Sequence, residues 1–218
     1  MPKLKIDPSE RWIIIGKTGS GKSEFAKYLL RLVAQKMKVV IIDPKEFWMG
    51  KHPIWANKKQ LGSVDQPRLV NEFNPKWQVQ CLQPDADDPE DTRLAAMCRE
   101  TLKYGNIFLY FDETEDIATA HSVPGYIRRV WKTGRALGVG AWVSTQAPTG
   151  IPKIFKSQAE HFVSFKVGDE DADVVASLLH TDVETVRNLG KYEWLYYNTN
   201  MDEAVKNPPI PYKKVNVA

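Results

Sequence analysis

Gly16-Lys17-Thr18-Gly19-Ser20-Gly21-Lys22-Ser23 follows the apolar run Trp12-Ile13-Ile14-Ile15 and precedes a helix-like segment from Glu24 to Met37. Strand, glycine-rich loop and helix in that order are the layout of a phosphate-binding P-loop. The spacing has a chemical reason. Small residues let consecutive backbone N–H groups curl around a β-phosphate, and the following helix points its positive dipole end at the same place. Lys22 then reaches the β- and γ-phosphates, and the Ser23 hydroxyl holds Mg²⁺. Every residue from Gly16 to Ser23 is thus a candidate nucleotide contact. The competing reading is a glycine-rich surface loop that matches by chance, and the flanking strand and helix count against it.

A second landmark is Ile107-Phe108-Leu109-Tyr110-Phe111-Asp112-Glu113, an apolar strand ending in two carboxylates. Beside a P-loop, the first acid, Asp112, belongs with Mg²⁺, and the second, Glu113, can orient and deprotonate an attacking water. Glu115 and Asp116 follow on a loop and read as solvated. Lys38 to Asp43 is another buried strand, stopped by Pro44, whose ring nitrogen cannot donate to a ladder. Asp43 at its carboxyl end lies either where ligands bind open α/β sheets or in a simple loop hydrogen bond. Val139 to Gln146 is a further strand, closed by Ala147-Pro148, and places Gln146 beside the acid pair, as a γ-phosphate or water contact or as a loop cap. Helices are expected over 92–103 and 126–134, the latter with Arg128, Arg129 and Lys132, and over 169–179 and 183–189. Strands are expected over 161–167 and 192–197.

The chain between Lys45 and Gln83 has a looser pattern, with Trp48, Trp55 and Trp77 interleaved with Lys51, Lys58, Lys59, Arg68 and Lys76. Such a mixture either pins an excursion onto the body or touches nucleic acid. Asn57-Lys58-Lys59-Gln60 lacks the aspartate of the guanine-reading Asn-Lys-x-Asp motif, so ATP is preferred over GTP. Asp85 to Asp91 is an acidic loop.

The 218 residues suit one α/β domain, 1–218, a mostly parallel sheet covered by helices on both faces, with an extended tail over about 205–218. Thirty Lys and Arg against 27 Asp and Glu leave a formal charge of +3, compatible with nucleic acid but short of a polycationic tail. No apolar run reaches the roughly 18 residues of a membrane-spanning helix, and Met1 to Lys5 has no signal-peptide core, so a soluble, unexported protein is expected. Cys81 and Cys98 belong to no CxxC pair and read as thiols of a reducing compartment. The four histidines show no metal-ligand spacing.

The order of these signals resembles the FtsK–HerA superfamily of P-loop ATPases, which pump DNA. The resemblance is carried by Gly16 to Ser23, Ile42-Asp43-Pro44-Lys45, Phe111-Asp112-Glu113, Gly134-Arg135 ahead of a strand, and Ser144-Thr145-Gln146-Ala147-Pro148 with Ile151-Pro152 after it. It spans about Trp12 to Trp194. It implies a three-layer P-loop NTPase of the additional-strand, catalytic-glutamate type, with the glutamine strand between the P-loop and acid strands. It further implies Glu113 as base, Gln146 as sensor and Arg135 acting on the γ-phosphate of a neighbouring subunit, with Arg128 and Arg129 as alternatives. A bare core of this size resembles the small genome-packaging ATPases of membrane-containing icosahedral viruses. The implied partners are ATP, Mg²⁺, double-stranded DNA, a homo-oligomeric ring of five or six subunits, and a capsid vertex or membrane protein; the implied location is host cytoplasm or virion. Alternative readings are a Zot-like phage assembly ATPase, a small nucleotide kinase, and a nucleotide-operated switch that hydrolyses little.

Overall fold

The computed structural model describes residues 6–48, 54–55, 68–69, 79–84 and 92–210. In chain order the elements begin with β1 (Arg11–Ile15), α1 (Lys22–Ala34), β2 (Lys38–Ile42), β3 (Ile54–Trp55), β4 (Arg68–Leu69) and β5 (Val79–Leu82). Next come α2 (Thr92–Tyr104), β6 (Ile107–Phe111), α3 (Gly125–Thr133), β7 (Gly140–Thr145) and α4 (Lys153–Lys156). The chain continues through β8 (His161–Ser164), α5 (Ala172–Leu179), α6 (Val183–Arg187), β9 (Trp194–Asn198) and β10 (Val205–Asn207). The ten described strands form one sheet in the order β10-β9-β8-β1-β7-β6-β2-β5-β4-β3. From β8 to β5 the strands run parallel; both margins are antiparallel.

β1 is buried at every position, which is why Trp12 to Ile15 are apolar without alternation: a central parallel strand is covered on both faces. Its side chains nonetheless sort by the two-residue period of a strand. Trp12 and Ile14 pack with Phe25, Leu29 and Val33 of α1. Ile13 and Ile15 join the opposite core, with Met97 of α2, Val130 of α3 and Val175 of α5. The result is a three-layer α/β sandwich, with the glutamine-bearing β7 lying between β1 and acid-bearing β6.

Two strands differ from the sequence expectation. Val79–Leu82 adds a parallel strand beside β2; it is only four residues long and contains Gln80, so its apolar pattern is too brief to stand out. Val205–Asn207, expected as the start of a coreless tail, pairs antiparallel with β9, because β9 would otherwise present an open ladder edge. β9 itself begins two residues later than expected, since Tyr192 adopts a left-handed backbone with φ 66°. Trp48, the last described residue before β3, is buried. Residues 1–5, Lys51, His52, the Asn57 to Gln60 stretch, Lys76, Trp77, the acidic loop and the tail from residue 211 lie outside the described residues. Among the described residues no helix is long and apolar enough to cross a membrane.

At the end of the sheet opposite the P-loop, Arg11 is only 1% exposed. Its guanidinium donates to the carbonyls of Val130 (3.3 Å), Trp131 (3.3 Å), Val139 (3.1 Å) and Ser9 (2.8 Å). It thereby adds a donor to the Trp131 carbonyl in the last turn of α3, where carbonyls lack helical partners, and a second donor to Val130, which also accepts from Gly134 N–H. Burial, with the nearby charge of Arg135, pushes its pKa down to about 10 against the pull of Glu160, so it stays cationic at neutral pH. Arg11→Met should keep the packing but take the guanidinium donor from the buried Trp131 and Val139 carbonyls, each costing about 1–3 kcal/mol if left unpaired. Urea titration should therefore show stability falling by about 3 kcal/mol or more. A loss below about 1 kcal/mol would mean that the guanidinium does not hold this end of the sheet together.

Candidate nucleotide site

The start of the P-loop is tied to the chain on either side of it, at the end of β7 and just beyond β8. Gly16 N–H donates to the Thr145 carbonyl (3.2 Å) and Lys17 N–H to the Lys166 carbonyl (3.1 Å). A Cβ on Gly16 would sit 2.6 Å from Ser20 Oγ and 2.8 Å from Phe165 Cβ, so only glycine fits there. Gly21 has φ 108°, a conformation that side chains resist, and it launches the 13-residue α1. Lys17, Thr18 and Gly19 are exposed, whereas Ser20 and Lys22 are buried. Ser23 occupies the first turn of α1 beside Lys22.

Lys22 Nζ, 4% exposed, lies 2.9 Å from Glu113 Oε1 and 4.0 Å from Asp112 Oδ1. Glu113 has φ 45°, an uncommon backbone for a non-glycine residue. Its Oε1 also accepts from Gln146 Nε2 at 2.7 Å, while Lys45 Nζ stands 3.7 Å from Oε2. Gln146 in turn accepts a hydrogen bond from Thr18 Oγ1 at 2.6 Å, and its main-chain N–H donates to Glu115 Oε1 at 3.0 Å. A continuous chain of contacts therefore runs from the P-loop through Gln146 and Glu113 back to Lys22.

Asp112 is fastened differently. Its Oδ2 accepts from the Trp48 indole N–H at 2.6 Å, and its Oδ1 accepts from the Ser144 hydroxyl and from Tyr110 OH at 3.2 Å. An ionised carboxylate offers about four acceptor directions, so these donors leave it little capacity for direct contacts. Burial, together with the Asp112 charge, pushes the Tyr110 phenol well above its ordinary range; it remains a donor. Asp43 Oδ2 accepts from Trp48 N–H at 2.7 Å, and burial raises the Asp43 pKa despite that bond. Asp43 therefore fixes the turn that delivers the Trp48 indole. Burial works against the Lys45 ammonium, but Glu113, Asp116 and Glu115 outweigh it and raise its pKa.

Thr18, Lys22, Asp112, Glu113 and Gln146 thus converge. Arg135 does not join them: it precedes β7, whereas Gln146 follows it, and the six-residue strand between them spans about 20 Å. Arg135 pairs there with Glu160, whose other oxygen accepts from Arg11 N–H at 2.8 Å. Arg128 and Arg129 are exposed on α3. Sequence reasoning missed Ser144, Trp48 and Tyr110 as partners of Asp112, and took Glu115 as merely solvated. One signal was available: Tyr110 and Asp112 are two apart along β6, hence on one face.

The family model for the helicase HerA central domain matches residues 4–53, which include the P-loop, α1 and β2. No curated protein matches the chain by sequence. Among solved structures, the genome packaging NTPase B204 from Sulfolobus turreted icosahedral virus 2, determined with ATP-gammaS, superposes with TM-score 0.71 at 21% identity, over 94% of this chain and 100% of that one. The pCW3 conjugation coupling protein TcpA gives 0.61 at 17% identity, covering 92% of this chain and 60% of that one. VirB4 of Thermoanaerobacter pseudethanolicus gives 0.57 at 13%, covering 95% and 94%. The fold is that of a P-loop NTPase, and the HerA match together with these neighbours agrees with the FtsK–HerA resemblance.

Trp48→Phe keeps a buried ring and deletes the donor to Asp112. A hydrogen bond to a charged group contributes about 1.5–3 kcal/mol, and the urea midpoint should drop by a corresponding amount with an unchanged slope. An unaltered midpoint would show that the indole N–H does not support the carboxylate.

Proposed function

We propose that this chain is an ATP-hydrolysing translocase of double-stranded DNA that packages a viral genome, working as a ring of five or six identical subunits. The observation that carries the hydrolytic part is the contact chain Thr18–Gln146–Glu113–Lys22, because it couples the phosphate-binding loop to a carboxylate suited to act as a base. A phosphate arriving at the loop competes with Glu113 for the Lys22 ammonium. Once Lys22 turns to the β- and γ-oxygens, Glu113 Oε1 loses its cation and can accept a proton from water, while the Gln146 amide keeps the carboxylate aimed. A kinase passing phosphate to a bound acceptor would have no need of a glutamate braced in this way.

The donor set fits Mg²⁺. Ser23 offers a hydroxyl on the first turn of α1, and Asp112 keeps acceptor capacity for a water, in keeping with an ion that retains several waters and takes its other ligands from phosphates. When bound, Mg²⁺ neutralises charge on the β- and γ-phosphates. ATP as the substrate is supported by B204, solved with ATP-gammaS, AMP and AMPPCP. DNA as cargo is supported by B204, called a DNA-packaging ATPase, and by the conjugation coupling protein TcpA. The host cytoplasm or the virion is the corresponding location, and a capsid vertex or membrane protein the corresponding docking partner.

The remoteness of Arg135 from its own P-loop leaves it available to a neighbour. A cation delivered in trans would neutralise transition-state charge and make turnover depend on ring assembly.

Two measurements test this reading. ATPase rate should rise on adding duplex DNA, under conditions where sedimentation shows an oligomer, and Glu113→Gln should still bind ATP while losing roughly 10²-fold or more in rate. Unstimulated turnover, or a fully active Glu113→Gln variant, would remove the motor or the base respectively. Mixing Arg135→Ala with Glu113→Gln subunits should restore activity at interfaces that receive one intact half from each; mixed rings without recovery would exclude the trans role of Arg135.

A further inference from the structure

The contacts around Lys22 give the site a direction. Glu113 and Gln146 stand on the β7 and β6 side, so the terminal phosphate and the water belong there. The loop amides take the β-phosphate, and whatever is esterified to the α-phosphate must leave on the other side of β1, toward β8 and β9. On that side two aromatic rings lie against the loop. A Cβ built on Gly21 would be 3.1 Å from Tyr192 Cδ1 and 3.3 Å from Phe165 Cε1. Phe165 is buried, whereas Tyr192 is 45% exposed.

Tyr192 is also held in an expensive conformation. A bulky residue at φ 66° is strained, and the turn that imposes it is braced. Glu193 Oε2 accepts from Gly190 N–H at 2.6 Å and pairs with Lys206 Nζ of β10 at 2.7 Å, while Glu193 N–H donates to the Gly190 carbonyl at 3.2 Å. Lys191 Nζ sits 5.0 Å from the Tyr192 ring centroid. The antiparallel β9–β10 margin therefore fixes a half-exposed aromatic face beside the P-loop.

We infer that Tyr192 is the nucleobase platform of this site, stacking on the base of a nucleoside triphosphate whose phosphates lie in the P-loop. The inference rests on the nucleotide-binding reading above. Stacking on an aromatic side chain contributes enough per base to change affinity on the order of tenfold or more. It acts equally in ground and transition states, so KM should carry the effect and kcat should not.

The test is a comparison of AMPPCP with inorganic tripolyphosphate, which has the phosphates but no base, measured by calorimetry on the full chain as wild type, Tyr192→Ala and Tyr192→Phe. Tyr192→Ala should bind AMPPCP on the order of tenfold more weakly, bind tripolyphosphate as wild type does, and raise KM for ATP at constant kcat; Tyr192→Phe should restore AMPPCP binding. Unchanged AMPPCP affinity in Tyr192→Ala overturns the inference. So does equal weakening of both ligands, since that would mean the turn merely props up the loop. Lys22→Ala separates the two levels of argument: if it binds both ligands as wild type does, the P-loop reading fails and this inference falls with it.

Discussion

A lysine ammonium and two carboxylates share a pocket from which water is nearly excluded, and the geometry of the site follows from keeping those charges satisfied. Removing such groups from water costs several kcal/mol per ion unless the remaining lone pairs and protons find partners. Here most of them do: Glu113 Oε1 meets both Lys22 and Gln146, Asp112 gathers Ser144, Trp48 and Tyr110, and Glu113 Oε2, without a hydrogen bond, has the Lys45 ammonium at 3.7 Å. The division of labour is visible in the partners. Asp112 is fixed by neutral donors that have nowhere else to go, whereas Glu113 is held by a lysine that, on the proposed reading, a phosphate claims. One acid is a fixture and the other is releasable.

That arrangement needs three strand tips side by side. β1 delivers the P-loop, β6 the acid pair and β7 the glutamine, and the order β1-β7-β6 puts Gln146 between Thr18 and Glu113. If β6 were adjacent to β1 instead, one strand spacing of about 4.8 Å would separate the loop from Glu113 with no side chain to bridge them through an amide. The inserted strand widens the gap to two spacings, roughly the depth that a terminal phosphate and a water would occupy, and Gln146 spans it. Ser144, on the same strand, reaches Asp112, so a single strand orders both acids.

The central strands and the chemistry of their tips were legible in the sequence because each is a local pattern. Trp12 to Ile15 and Ile107 to Phe111 are unbroken apolar runs, and a glycine loop and an acid pair follow them directly. What escaped depends on contacts between distant residues. Trp48 reaches Asp112 across 64 positions and Ser144 reaches it across 32, and nothing in either neighbourhood announces the pairing. β10 escaped because a polar, proline-flanked segment becomes a strand only when β9 offers it an edge. Tyr192 was read as part of a strand, since an aromatic among aromatics looks extended; its left-handed backbone is imposed by Gly190 and Glu193 of the same turn and by Lys206 on β10.

β7 also connects the two ends of the molecule. Its C-terminal tip carries Gln146, and the turn before its N-terminus carries Arg135, paired with the Glu160 that also receives the Arg11 main-chain N–H. A buried strand cannot stretch, and packed interiors transmit small displacements instead of absorbing them. On the proposed reading, an arginine drawn toward a neighbour's phosphate would have to leave Glu160, and any resulting shift in the turn around Gly134 would be passed along β7. The same strand that positions the glutamine over one subunit's triphosphate would then register whether the adjacent subunit holds one. Sequential firing around a ring requires that kind of coupling, and a side chain placed near its own P-loop could not supply it.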